Sequence, residues 1–316
     1  MSRRCPAGTR LLPATALAAA LVASCNGTTG DQLVTFNAYA AGAPHAGDPF
    51  IVDVASNNSA STAYTVQIKS AVLHIGALFL DQNTTDDAVC INPGLYSDQV
   101  PGSVDVDLLS TKPQPFSLPG NGTADPNQSF SIWLTDGGNS VPSSLGEQSD
   151  TINSANVDPT VLLQAVATNE TTGEAIPFSA IVTINPANRG TTPSDPAYPG
   201  QNPICLQRIV SVPLSGLTIY PGDSLLLTID PRGWFGATLS FDSLAPITSS
   251  ACLGDPSLEK PHFPNAGITP TRCIPNTDST LSTNGTPIGA QFLTSVLSGN
   301  SQTYALSIIR AQGLEP

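Results

Sequence analysis

The stretch Tyr64-Thr65-Val66-Gln67-Ile68-Lys69-Ser70-Ala71-Val72-Leu73-His74-Ile75-Gly76-Ala77-Leu78-Phe79-Leu80 decides the fold class. Its first part alternates Tyr64, Val66 and Ile68 with Thr65, Gln67 and Lys69, the period of a half-buried strand. Its second part, Ala71 to Leu80, is apolar on both faces, which predicts a central strand buried on both sides. No amphipathic helix of comparable strength follows the first 25 residues.

Weaker runs of the same kind surround it, bounded by Gly, Pro, Asn and Asp. They are Leu33 to Ala40, Phe50 to Val54, Val104 to Leu109 and Ser129 to Thr135. In the last of these, Phe130, Ile132 and Leu134 share one face and Trp133 takes the other. Val161 to Thr168 and Ile176 to Asn185 flank Asn169-Glu170-Thr171-Thr172-Gly173-Glu174, a hairpin signal. Ile209 to Leu214, Ser224 to Ile229 and Ala237 to Leu244 continue the meander, and Tyr304 to Ile309 closes it. Phe292 to Val296 fits a strand or a short helical turn. Asn83 to Asp87 reads as a polar turn, and Gly137 to Pro159 as a long polar loop. About a dozen short strands predict an all-β fold, a β-sandwich of immunoglobulin-like or related two-sheet architecture with long loops. Residues 33–316 are expected to form one such domain, with a Pro- and Ser-rich, Cys-containing excursion at 245–288. Two smaller sandwiches meeting near Pro186 to Pro203 are the alternative.

The N-terminus carries an address. Arg3, Arg4 and Arg10 precede Leu11 to Val22, twelve residues apolar apart from Pro13 and Thr15. A membrane span needs roughly 20 apolar residues, so this segment is too short to be one. The run ends in Leu21-Val22-Ala23-Ser24-Cys25, which resembles the lipobox of bacterial lipoproteins. The resemblance implies cleavage before Cys25, acylation of Cys25 (palmitate among the chains) and export. Residues 1–24 are then a signal peptide and 25–32 a polar tether. Asn26 is not the aspartate that retains some lipoproteins at an inner membrane, so the resemblance favours an outer membrane or cell surface. A plain secretory signal also ends in small residues and is the competing reading.

Composition agrees with export. The chain carries a net charge of −13, and losing the three signal arginines takes it to −16. Such a chain repels phosphate backbones, so nucleic acid is not an expected partner. Only 11 % of residues are charged, with Lys69, Lys112 and Lys260 the sole lysines, so Ser, Thr, Asn, Gln and Gly must cover the surface. With 40 % hydrophobic residues the chain still has material for a large core. After Cys5 and Cys25, the cysteines Cys90, Cys205, Cys252 and Cys273 remain, an even number suited to an oxidising compartment. Pairing Cys252 with Cys273 would staple a Pro- and Gly-rich loop of about twenty residues. Cys90–Cys205 follows by elimination.

Catalytic motifs are scarce. Gly222-Asp223-Ser224-Leu225 spells the tetrapeptide of a lipase and esterase family, in which the serine follows a strand and a late Asp-x-x-His supplies the base. Here the tetrapeptide opens a strand and no Asp-x-x-His exists, so it reads as a turn. No Gly-x-Ser-x-Gly is present. The histidines are His45, His74 and His262, none with a ligand partner at metal spacing; His74 lies in the best strand and reads as a hydrogen-bonded core residue. With Met1 the sole methionine, a mature copper site with a thioether ligand is excluded. Calcium is the better cation, with weak candidate ligands in Asp86, Asp87, Asp105, Asp107 and His45. Asp105 and Asp107 alternate with apolar residues, which equally fits the wet face of an edge strand. No resident cofactor is expected.

The most distinctive segment is Ile229-Asp230-Pro231-Arg232-Gly233-Trp234-Phe235. In extended backbone Trp234 and Phe235 would point to opposite sides. An exposed Trp234 beside Asp230 and Arg232 would then suit a sugar or peptide. Alternatively Trp234 plugs the end of the sandwich and Asp230 pairs with Arg232. The pieces Leu73-His74-Ile75-Gly76, Asp105-Val106-Asp107-Leu108-Leu109-Ser110, Pro203-Ile204-Cys205-Leu206-Gln207-Arg208-Ile209-Val210 and Asp230-Pro231-Arg232-Gly233-Trp234-Phe235 resemble exported β-rich bacterial lipoproteins. That type has no assigned activity, so the resemblance implies no catalytic residues.

The expectation is a membrane-anchored lipoprotein with a non-catalytic binding or envelope-structural role. Its partners would be the membrane, through the lipid, and an envelope protein or polysaccharide. The alternatives are a metal- or ligand-delivery lipoprotein serving a transporter and, more remotely, a hydrolase without a recognisable motif.

Overall fold

The structure, a computed structural model, describes residues 32–44, 51–54, 63–82, 96–134, 160–182, 209–235, 239, 241, 244–247, 267–274, 288–297 and 302–310. In chain order the strands are β1 (Leu33–Gly42), β2 (Ile51–Val54), β3 (Tyr64–Ile75), β4 (Ala77–Asp81), β5 (Tyr96–Val100), β6 (Val104–Asp107), β7 (Gln114–Pro115), β8 (Gly120–Thr123) and β9 (Asn127–Trp133). They continue with β10 (Val161–Asn169), β11 (Ala175–Val182), β12 (Ile209–Leu217), β13 (Ser224–Ile229), β14 (Ala245–Pro246), β15 (Arg272–Ile274) and β16 (Tyr304–Ile309). A 3₁₀ turn spans Pro231–Trp234, and one helix, α1, spans Ile288–Leu297. The fold is all-β, as the strand pattern predicts.

The strands form two sheets. One has seven strands in the order β14-β15-β11-β10-β3-β2, with β6 also paired to β3. The other has nine, in the order β12-β9-β4-β5-β8-β1-β13-β16, with β7 also paired to β1. In this second sheet the end strands β12 and β16 touch, so it curls nearly closed.

The Tyr64–Leu80 stretch is therefore not one strand. It breaks at Gly76, and β3 and β4 lie in different sheets. Gly76 N–H donates to Trp133 O at 2.8 Å, which seats the corner. A chain crossing between sheets gives the same run of apolar residues as a strand covered on both sides. On β3 the inward positions are Tyr64, Val66, Ile68, Ala71, Leu73 and Ile75, with a register shift opposite Gln164/Ala165 that moves the phase by one residue. On β4, Leu78 and Leu80 enter the main core, whereas Ala77 and Phe79 form a small second cluster with Trp133.

The main core draws on both sheets, for example Phe36, Leu80, Phe130 and Leu225 from one and Val66, Leu73, Leu163 and Phe178 from the other. Phe130, Ile132 and Leu134 are buried on one face of β9, as expected, while Trp133 on the other packs 5.2 Å from the Phe79 ring. The 169–174 hairpin also forms. Asn169 Oδ1 accepts from the N–H groups of Thr171 and Thr172, each at 2.9 Å, and Gly173 sits at φ 72°.

One expectation needs correction. The run Ala237–Leu244 has no strand among its described residues. Leu239, Phe241 and Leu244 are buried, but Leu244 N–H donates to Phe241 O in a turn rather than to a neighbouring strand. Of the two readings of Phe292–Val296 the helical one holds, as part of α1. Within the 245–288 excursion, β15 pairs parallel with β11 and antiparallel with β14. Cys273 lies buried in β15; Cys90, Cys205 and Cys252 fall outside the described residues, as do Cys25, His45, Asp86 and Asp87.

Candidate functional site

The Asp230–Phe235 segment caps one end of the nearly closed sheet. β13 ends at Ile229, and Asp230 N–H donates to Thr303 O at 2.8 Å. Asp230 then starts the 3₁₀ turn, its Oδ1 accepting from Arg232 N–H at 3.0 Å. The Arg232 guanidinium closes back on the same carboxylate, with Nε 2.9 Å from Oδ1 and 3.0 Å from Oδ2. Gly233 is required by contact, because a Cβ there would lie 1.9 Å from Thr303 Oγ1.

Both aromatics that follow are buried, Trp234 at 0 % exposure and Phe235 at 5 %. The expected split of one inward and one outward ring fails because the backbone winds in a 3₁₀ turn instead of extending. Trp234 Nε1–H donates to Tyr304 Oη at 3.1 Å, and Tyr304 O–H donates to Val296 O at 2.7 Å. Burial pushes the Tyr304 phenol well above its ordinary range. The rings run on from Trp234 to Phe292 of α1, to Phe235, to Phe241 and then to Phe178 and Tyr64 of the other sheet, with centroid separations of 5.2–6.4 Å. This corner joins the sheets and offers no exposed indole to a sugar or peptide.

His74 and Asp105 come together across β3 and β6, where they are register partners. His74 Nδ1–H donates to Asp105 Oδ1 at 2.6 Å, and this bond holds the Asp105 carboxyl below its ordinary range. His74 is 5 % exposed and its Nε2 has no partner, whereas the Asp105 side chain is 74 % exposed. The other member of the pair, Asp107, accepts from Leu109 N–H and so ends the strand in a local turn. Of the five residues considered for calcium, only Asp105 and Asp107 are described, and each is engaged within its own strand environment.

A different set of carboxylates, which sequence reasoning did not single out, gathers where β4, β5, β8 and β9 meet. Leu80 pairs with Asp98, Asp98 with Gly122 and Gly122 with Val34. Leu80 and Val34 face the core, so Asp98 points into the curled sheet with them. It is 1 % exposed. Asn127 Nδ2–H donates to its Oδ2 at 2.7 Å, and Thr123 N–H also donates to the carboxylate. Oδ1 has no partner and lies against Gly122, where a Cβ would come within 2.1 Å. Desolvation lifts the Asp98 carboxyl to about 6, against the bond from Asn127, with the nearby Asp125 charge adding to the rise. Asn127 also donates to Leu217 O and accepts from the Ser97 hydroxyl. Asp125 Oδ2 takes the Thr123 hydroxyl at 2.7 Å and the Gln82 amide at 3.1 Å.

Asp81 lies at the same end of β4 but on its outer face, in phase with Ala77 and Phe79. It is 1 % exposed, neither oxygen has a partner, and burial lifts its carboxyl to about 7. The available signal was an acid inside an alternating run, as in Ser97-Asp98-Gln99-Val100, where Asp98 shares the phase of Val100. Chemically the cluster can hold protons near neutrality and present oxygen ligands. Among the described residues no three His, Cys, Asp or Glu side chains gather as a metal would require.

Gly222-Asp223-Ser224-Leu225 is the expected turn. Gly222 sits at φ 90°, and Asp223 Oδ2 accepts from Tyr220 N–H and from Arg310. Ser224 then begins β13. Comparison with known proteins gave no matching family model, no matching curated protein and no matching solved structure.

Proposed function

We propose that this chain is an exported lipoprotein, held to a membrane by acyl chains on Cys25, whose β-domain has a non-catalytic binding or envelope-structural role. The observation that carries the reading is the arrangement of Arg3, Arg4 and Arg10, the apolar Leu11–Val22 and Leu21-Val22-Ala23-Ser24-Cys25. It is supported by a compact unit that begins at Leu33, a short polar stretch after the cysteine. Two or more acyl chains suffice for stable anchoring. Asn26 directs the reading to an outer membrane or the cell surface. Metabolic labelling with palmitate in a bacterial host tests it. Label should enter the native chain and be lost in Cys25→Ser; equal labelling of both, or none in either, would remove the anchor.

Two finer features belong to the same reading: a β-sandwich arrangement of the two sheets, and disulfides Cys252–Cys273 and Cys90–Cys205. The buried position of Cys273 in a three-residue strand suits a staple for the 245–288 excursion. Peptide mapping of the exported protein without reductant should yield those two cross-linked pairs and no others.

A further inference from the structure

We propose that the end of the nine-stranded sheet bearing Leu33, Tyr220 and Ile309 rests against the lipid surface to which the chain is anchored. This rests on the lipoprotein reading and adds an orientation to it.

Strand register places Leu33 at the tip of β1 and Tyr220 and Ile309 at the corresponding ends of β13 and β16, on a staggered edge four residues further along β1. β1 starts at Leu33, opposite Thr123 at the close of β8. Asn37 pairs with Ser224, the first residue of β13, and Ser224 pairs in turn with Ile309, the last of β16. Tyr220 stands in the turn that leads into β13, with Asp223 N–H donating to Tyr220 O. Leu33 is 82 % exposed, Tyr220 48 % and Ile309 45 %. They are three of the five exposed large hydrophobic residues among those described, the others being Ile51 and Leu118. At the far end the large apolar side chains Trp234, Tyr304 and Phe292 are all buried.

The covalent chain then sets which end can meet the membrane. Cys25 and Leu33 are eight residues apart. Fully extended, that segment reaches about 26–29 Å, and as a flexible coil about 15 Å. β1, ten residues long, carries the chain about 30 Å from Leu33 to Gly42 at the far end. A lipid on Cys25 therefore holds the Leu33 end closer to the bilayer, and the Trp234 end meets it only with the segment fully extended or the molecule lying flat.

The side chains suit that position. Tyr220 offers a ring with a polar tip, the type favoured at headgroup level. Arg310 lies 5.2 Å over that ring and gives Nη1 to Asp223. Its half-exposed guanidinium retains N–H donors for a lipid phosphate. Three partly exposed side chains are too few to bind a membrane alone. The acyl chains supply affinity, and the patch sets orientation.

The test uses the lipidated mature chain in vesicles of phosphatidylethanolamine and phosphatidylglycerol with brominated acyl chains. An indole is introduced by Tyr220→Trp, by Ile309→Trp, or, as the far-end control, by Ala305→Trp on the outer face of β16. Flotation with the vesicles reads the anchor separately. With the anchor intact, bromine should quench the added fluorescence at 220 and 309 at least about two-fold more than at 305, since interfacial side chains insert only 5–10 Å. Equal quenching at all three positions, or stronger quenching at 305, overturns the orientation while leaving the anchor standing. Failure to float removes both. If one of the near-end variants does not fold, the other gives the same readout.

Discussion

Asp81 is the residue whose chemistry is most at odds with its surroundings. Its carboxyl is buried, lacks a hydrogen-bond partner and is lifted from 3.8 to about 7. A raised acid favours the folded state below the unfolded value, and that stability is lost as pH climbs from about 4 to about 7. Asp81→Asn should therefore match the native protein at pH 4 and exceed it at pH 8, by on the order of 2–4 kcal/mol. Urea unfolding at the two pH values checks this; an equal effect at both would mean that Asp81 does not ionise in the fold. Asp98 should behave alike but more weakly, because Asn127 and Thr123 stabilise its charged form. Gly233 sets a steric limit at the same scale. Gly233→Ala would drive a methyl into the buried Thr303 side chain and should cost about 1–3 kcal/mol in the same assay. None of the three environments could be read from the sequence, because each depends on a strand or residue brought in from elsewhere. Asp81 looks like the polar end of an apolar run, and Gly233 like an ordinary turn glycine.

Elements were legible where the signal is local and hidden where it depends on a neighbour. The 169–174 hairpin, the inward face of β9 and the closing strand β16 all follow from periodicity and turn chemistry. The break at Gly76 does not, since one doubly covered strand and two strands crossing between sheets produce the same apolar run. α1 is marginal from sequence for a related reason: a ten-residue helix gains most of its stability from docking. Here Phe292, Val296 and Leu297 are buried, and Tyr304 O–H satisfies the Val296 carbonyl in the last turn, a group that a helix leaves unpaired. The same hydroxyl accepts from Trp234. Tyr304→Phe removes both bonds at nearly constant shape and strands two buried groups. It should cost about 1–3 kcal/mol in urea unfolding. A change within error would show that neither bond contributes.

At the scale of the whole molecule, chain crossings and a series of rings join the two sheets among the described residues. The chain itself passes from β3 to β4 at Gly76, and the ring series from Trp234 through Phe235 and Phe241 reaches Phe178 and Tyr64. Sequence could supply the strands but not their partners, so the near closure of the larger sheet and the parallel pairing of β1 with β13 lay beyond it. Because both sheets feed one core, neither should melt alone, and heating should give a single cooperative transition with coincident near- and far-ultraviolet dichroism. Phe241 is the sharpest probe, since its ring touches Tyr64, Phe178 and Phe235. Phe241→Ala should cost about 3–5 kcal/mol and move the single transition to lower temperature without splitting it. Were the sheets separate cores joined by a strap, the same substitution would uncouple them and the two signals would part. The shape of the transition in this variant therefore decides between one core and two, whatever the size of the loss.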